Sequence, residues 1–262
     1  MTRYPSLYGH FFKQNLKTQL EYRDSFIIGM LSTVAMQVAG LLTLWVVMRQ
    51  VPLLRGWTLD QLLLIYGLIT LSKSLNHMFA DNLWRLGWAY IRTGDFDRYL
   101  VRPVNPLFHL LADRFCQDGV GNFIVGLALL IHSSLVLGIP WTLQSGLYTL
   151  ISVLAGGLIF LGINLITSSL SFWMVDSLPV MWGTFETHEF AKYPLNIYGQ
   201  GISLIFTWIL PFALASFYPA SYLLGKDVGL LAWVSPGVAA ALLALGYLLW
   251  SAGLRQYSSS GS

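Results

Sequence analysis

The residues of this chain that could do chemistry gather in two places. Between Ile91 and Phe108 the run IRTGDFDRYLVRPVNPLF sets Asp95, Asp97, Arg98 and Arg102 close together. Farther on, Glu186-Thr187-His188-Glu189 crowds two acids and a base into four residues. Such groups could do general acid–base work, and a membrane-embedded hydrolase using Glu186, His188 and Glu189 is one reading of them. Adjacent residues on a helix do not face one another, so a solvated polar loop is the simpler one. Other chemistries lack their residues. His10, His77, His109, His132 and His188 are scattered, with no pair at metal-binding spacing. The single cysteine, Cys116, excludes an internal disulfide. No G-x-x-x-x-G-K-[ST] phosphate loop is present, and no cofactor is expected on the chain itself.

The first cluster reads as a short amphipathic helix between two breaks. Gly94 ends one helical pattern and Asp95 is a good N-cap. Phe96, Tyr99 and Leu100 then recur at i, i+3 and i+4 on one face, with Asp97, Arg98 and Arg102 on the other. Pro103 stops the helix, and Asn105-Pro106 restarts the chain as an N-cap followed by proline at the first helical position. Inside a membrane protein such an element belongs at the cytosolic surface, aromatic side inward and charged side open to a partner. The plainer alternative is an interfacial connector that touches nothing.

The elements around these clusters are those of an integral membrane protein. Of 262 residues, 55% are hydrophobic and 10% charged, with a mean hydropathy of +0.61; a soluble domain carries roughly 25% charged residues. The expected fold is all-α and polytopic, one transmembrane domain with spans at residues 25–48, 58–79, 120–137, 147–173, 195–214 and 230–252. Residues 1–23 place Leu7, Phe11, Phe12, Leu16 and Leu20 at helical spacing and read as an interfacial helix. Thr58 and Gln61 form a capping box at the start of the second span. Lys73, near that span's far end, is read as snorkelling to the interface. Residues 80–118 form a cytosolic region around the short helix, and 176–192 a second cytosolic connection. Residues 211–229, broken by Pro219, Gly225 and Gly229, are too short to cross twice and fit a re-entrant hairpin between spans five and six. Of the fifteen Lys and Arg, eleven fall on the proposed cytosolic pieces and only Arg49, Arg55 and Lys226 on the outer ones, which puts both termini inside. The net charge of +3 is too small to argue for nucleic acid.

Three motifs carry a family resemblance. Thr93, Gly94, Asp95, Asp97, Leu100, Arg102 and Pro103 match a pattern of the form TG-hydrophobic-D..L.RP. Lys192-Tyr193-Pro194 with Ile197-Tyr198 is the second, and Ile209-Leu210-Pro211-Phe212-Ala213 with Tyr218-Pro219-Ala220 the third. In this order the chain resembles permease subunits of type-2 ATP-binding-cassette (ABC-2) transporters. The resemblance implies two six-span permease subunits, identical or related, above two separate ATPase subunits that hold the ATP and Mg, and an exporter in the plasma (inner) membrane of a prokaryote. It implies that Asp95, Asp97, Arg98 and Arg102 face the ATPase while Phe96, Tyr99 and Leu100 anchor the helix to the permease. Spans one, two and five would line the subunit interface and substrate path, where Gln37 and Asn76 are candidate polar groups. An ion-coupled carrier, by contrast, needs a carboxylate near mid-membrane, and none of the expected spans contains one.

Overall fold

Long charge-free runs have no way to satisfy their backbone in lipid except as helices. In the computed structural model of the protein, which describes residues 3–174 and 176–258, all regular structure among the described residues is helical. Met1 and Thr2 of the expected interfacial helix, and residues 259–262 of the tail, lie outside them. In chain order come α1 (Arg3–Glu21), α2 (Arg23–Gln50) and α3 (Leu59–Ala80), which runs on through 3-10 and π turns to Ile91. Two short helices follow, α4 (Asp97–Leu100) and α5 (Pro106–Ala112). Then come α6 (Gln117–Val136), α7 (Leu143–Ser169), α8 (Leu178–Glu186), α9 (Gln200–Leu204), α10 (Phe217–Leu223) and α11 (Ser235–Gln256). Five helical stretches are long and apolar enough to cross a membrane: 23–50, 59–91, 117–136, 143–172 and 235–256.

Helix α3 is buried along most of its length and is central. Thr58 and Gln61 cap its start reciprocally, and nearly every residue from Leu62 to Leu71 is buried. Neighbouring helices approach it through glycines. A Cβ on Gly126 of α6 would lie 2.8 Å from the Leu71 backbone nitrogen, and one on Gly156 of α7 would lie 2.3 Å from Ser72 Oγ. Gly162 and Gly246 bring α7 against α11 in the same way. By contrast α2 packs chiefly on α6 and leaves most of its surface bare.

The bundle has two distinct ends. At the basal end, Asn15 and Gln19 of α1 donate to the carbonyls of Ala112 and Phe115, and Tyr257 donates to Asp97, so both chain ends meet the 81–116 region. At the apical end lie the loop holding Arg55 and Trp57, on which Lys226 stacks, and Tyr222, which accepts from Gln144. With both ends basal, the chain must traverse the bundle an even number of times. Five long helices leave one traverse to find.

Residues 178–198 supply it, and this corrects two expectations. The segment starts basally, where Trp182 and Phe185 pack on Trp84. It continues as a 3-10 helix, Thr187–Lys192, whose Lys192 reaches Tyr66 of α3. It ends where Asn196 donates to the Arg55 carbonyl. Residues 176–192 are therefore not a surface connection, and 195–214 is not a continuous span: Gln200–Ile209 and Phe212–Leu223 form a pair bent by 70° at Pro211. Phe212 at the bend packs on Phe160 of α7, and Tyr222 near the end of the pair accepts from Gln144 of α7. The charges of 186–192 suggest solvent in the sequence; in the fold His188 and Lys192 are buried against a half-exposed Glu189, while Glu186 stays exposed. Lys73 is corrected likewise, its Nζ turned inward to His188 Nε2 at 3.1 Å.

The glycine contacts predict that Gly126→Val and Gly156→Val each destabilise the bundle by about 1–3 kcal/mol through overpacking. Gly146→Ala, where an added Cβ meets nothing within 4 Å among the described residues, should be neutral. Loss of monodisperse protein on heating in detergent measures both.

Candidate coupling site

The loop before α4 is shaped by one glycine. Gly94 has φ +79°, which glycine adopts without steric cost and which turns the chain back after Ile91. Thr93 Oγ1 lies 2.8 Å from the Ala89 carbonyl oxygen and 2.9 Å from Asp95 Oδ2, and the Phe96 N–H donates to the Tyr90 carbonyl at 3.0 Å. Asp95 thus braces Thr93 and does not cap α4, which begins at Asp97 and makes one turn.

That turn is held from behind by aromatic rings. Phe96, with none of its surface exposed, has its ring centroid 5.8 Å from Tyr99, 5.6 Å from Phe172, 5.9 Å from Trp250 and 5.2 Å from Tyr257. Tyr99 packs edge-on to Tyr90 and His109. One four-residue helix is thereby fixed to the basal ends of α3, α7 and α11. Each buried aromatic contributes roughly 1.5–3 kcal/mol by area, and each edge-to-face pair about 0.5–1.5 kcal/mol more.

Polar contacts complete the anchorage. Tyr99 OH accepts from Arg98 Nη2 at 2.8 Å and donates to Asp113 Oδ2 at 2.8 Å. Burial, with Asp113 beside it, holds the Tyr99 phenol above its ordinary range, so it keeps its proton. Arg102 Nη1 donates to His109 Nε2 at 3.0 Å. Burial lowers the His109 pKa, and nearby Arg102 and Arg98 push it the same way, so the ring is the neutral acceptor this contact needs.

What remains outward differs from the sequence expectation in two places. Asp97 is turned inward, its Oδ1 accepting from Tyr257 OH at 2.9 Å. Leu100, expected as an anchor, is 40% exposed, and Val101 beside it is 80% exposed. The presented surface is an apolar tip, Leu100-Val101-Pro103, flanked by Arg98 and Arg102. Val101 escaped notice because the i, i+3, i+4 pattern assigned the apolar face to the interior.

The other candidate residues are interior. Gln37 is buried, donating to Asn122 Oδ1 and accepting from Tyr66 OH, so it ties α2 to α6 and α3 and does not face outward. Asn76 is buried, and neither of its side-chain polar atoms has a partner among the described residues. Glu186 is exposed, while His188 and Glu189 meet at 3.0 Å, joined by Lys192 at 2.6 Å and by Lys73. The sequence sets Glu186, His188 and Glu189 together, but only the fold adds Lys73 and Lys192 to them; a lysine within an apolar helix, which a bundle pairs inward when it can, is the signal for that addition.

A family model described as ABC-2 family transporter protein matches residues 34–261. The chain belongs to that family. Searches of curated proteins and of solved structures gave no match. This ABC-2 protein is therefore a multi-pass component of membrane transport, and permeases of its family work with ATPase subunits. The α4 tip and the ionic cluster both lie within the matched region.

Two outcomes follow. Phe96→Ala should cost about 3–5 kcal/mol, as for other buried aromatic truncations, read as a lowered midpoint of thermal unfolding in detergent. His109, its pKa lowered from the ordinary 6.5, binds a proton more readily unfolded than folded, so its contribution is present above about pH 6.5 and lost on acidification below it. Amide exchange across 97–112, corrected for intrinsic rates, should accelerate between about pH 7 and about pH 5, and His109→Gln should flatten that change.

Proposed function

We propose that this chain is the membrane-spanning subunit of an exporter driven by ATP that two separate ATPase subunits hydrolyse with Mg, and that those subunits press on α4. The observation that carries the reading is the contrast across α4: aromatic rings lock its back, while Leu100 and Val101 project from its front. An apolar tip flanked by arginines suits a groove in a partner, where a few buried anchors supply most of the affinity. Arg98 and Arg102 flank that tip, and Asp95 lies at its approach. ATP-driven closure of the partners displaces α4, and the ring cluster passes the displacement to the basal ends of α3, α7 and α11.

The basal end is cytosolic in this reading. Lys13, Lys17, Arg85, Arg92, Arg98, Arg102 and Arg114 gather there, against Arg49, Arg55 and Lys226 apically. Both termini then face the cytosol of a prokaryotic cell, and the bent pair 200–223 is a re-entrant element of the outer leaflet. A second permease subunit, identical or related, completes the path, and the bare surface of α2 is available for it.

Affinity purification of the tagged chain from its native membrane tests the coupling claim. A Walker-containing subunit should co-purify, and Val101→Asp should reduce its recovery at least about tenfold, equivalent to about 1.4 kcal/mol. Arg98→Glu with Arg102→Glu should do the same, while Arg49→Glu at the apical end leaves recovery unchanged. Equal recovery in all variants contradicts the assignment.

A further inference from the structure

The ionic cluster around Glu189 does no work in coupling, and its position is unusual. Lys192 reaches Tyr66 and His188 reaches Lys73, seven and fourteen residues into the 22-residue α3. At 1.5 Å per residue these levels are about 10 Å and 21 Å from the apical start of that helix. Glu189 lies between them, at mid-height of the bundle. The cluster thus places a carboxylate at the depth where the expected spans showed none.

The charges are layered. Lys192 Nζ lies 2.6 Å from Glu189 Oε1 and 2.7 Å from Oε2, and its third N–H points to Tyr66 OH at 3.3 Å. His188 Nδ1 donates to the Phe185 carbonyl at 2.6 Å, and its Nε2 lies 3.0 Å from Glu189 Oε1. His188 is 1% exposed and the Lys192 side chain 10%, whereas that of Glu189 is 46% exposed. Cations are behind; the carboxylate is in front. At helical spacing along the same segment, Trp182 and Phe190 are each 53% exposed and Glu186 is exposed as well. A carboxylate at mid-membrane is costly against hydrocarbon, so this side faces water or a polar partner.

We infer that the outward side of 182–190, with Glu189 and Glu186 between the rings of Trp182 and Phe190, binds a lipophilic organic cation as the transported substrate. A carboxylate offers about four acceptor positions, and Lys192, in contact with both oxygens, occupies the inward ones, leaving the outward ones for a ligand. Aromatic faces add attraction for a desolvated cation. An anion, to reach Lys192 or His188, must first displace Glu189. This inference rests on the exporter reading for the word substrate; the binding itself needs no ATPase.

Tetraphenylphosphonium and tetraphenylborate, of the same shape and opposite charge, test it by equilibrium dialysis against the purified full-length chain in lipid nanodiscs. The phosphonium should bind saturably and the borate should not. Glu189→Gln should weaken phosphonium binding at least about tenfold, as loss of a desolvated charge pair does. Trp182→Leu, which keeps an apolar side chain against Trp84, should weaken it about two- to fivefold. Unchanged phosphonium affinity in both variants overturns the site, as does tighter binding of the borate or the absence of saturable phosphonium binding. A change of oligomeric size in Glu189→Gln without loss of cation binding assigns the carboxylate to a second copy and overturns it too. Co-purification of the ATPase with Glu189→Gln should persist; its absence from wild type counts against the transporter reading, whereas loss of cation binding alone counts only against this site.

Discussion

Phe96 is the contact on which the basal half of the molecule depends. Its ring touches the helix that follows it, the end of α7, the end of α11 and the C-terminal segment at once. A one-turn helix has no stability of its own, because helix nucleation costs more than one turn of hydrogen bonds returns. The α4 turn exists because the ring behind it is buried and because Gly94 permits the reversal that brings the ring there. The same burial gives α4 mechanical stiffness toward three long helices. Removing it would leave the tip present and uncoupled.

The interior obeys a second constraint, the cost of polar groups away from water. α3 meets it in its first half with an apolar run from Leu62 to Ile69, broken by Tyr66, whose hydroxyl donates to Gln37. The traverse at 178–198 meets it differently, carrying Glu189, Lys192 and His188 through the bundle and matching them to Tyr66 and Lys73 of α3. Breaking such a set by removing one member leaves an uncompensated charge and costs more than the set contributes.

Much of this was legible in the amino-acid sequence, where one local rule decided the outcome. Charge-free length located four of the five long helices, Thr58 and Gln61 marked the start of α3, and Phe96 and Tyr99 marked the buried side of α4. The errors arose where a distant partner decided. His188 and Lys192 look solvated until α3 offers them Lys73 and Tyr66; Asp97 looks outward until Tyr257, 160 residues away, reaches it. Leu100 fits a helical apolar face that a single turn is too short to present. Gln37 and Asn76, candidate groups for a subunit interface by resemblance, are both buried within the chain.

The central claim is that α4 moves with the basal ends of α7 and α11 as one body. The direct measurement is the distance between spin labels at Val101 and Ser251, with native Cys116 replaced by serine, in the assembled transporter with and without trapped ATP. The account predicts one narrow distance in both states, broadened by Phe96→Ala. A wild-type distance that shifts when ATP is trapped contradicts it, since α4 would then move independently of the helices it is held to drive.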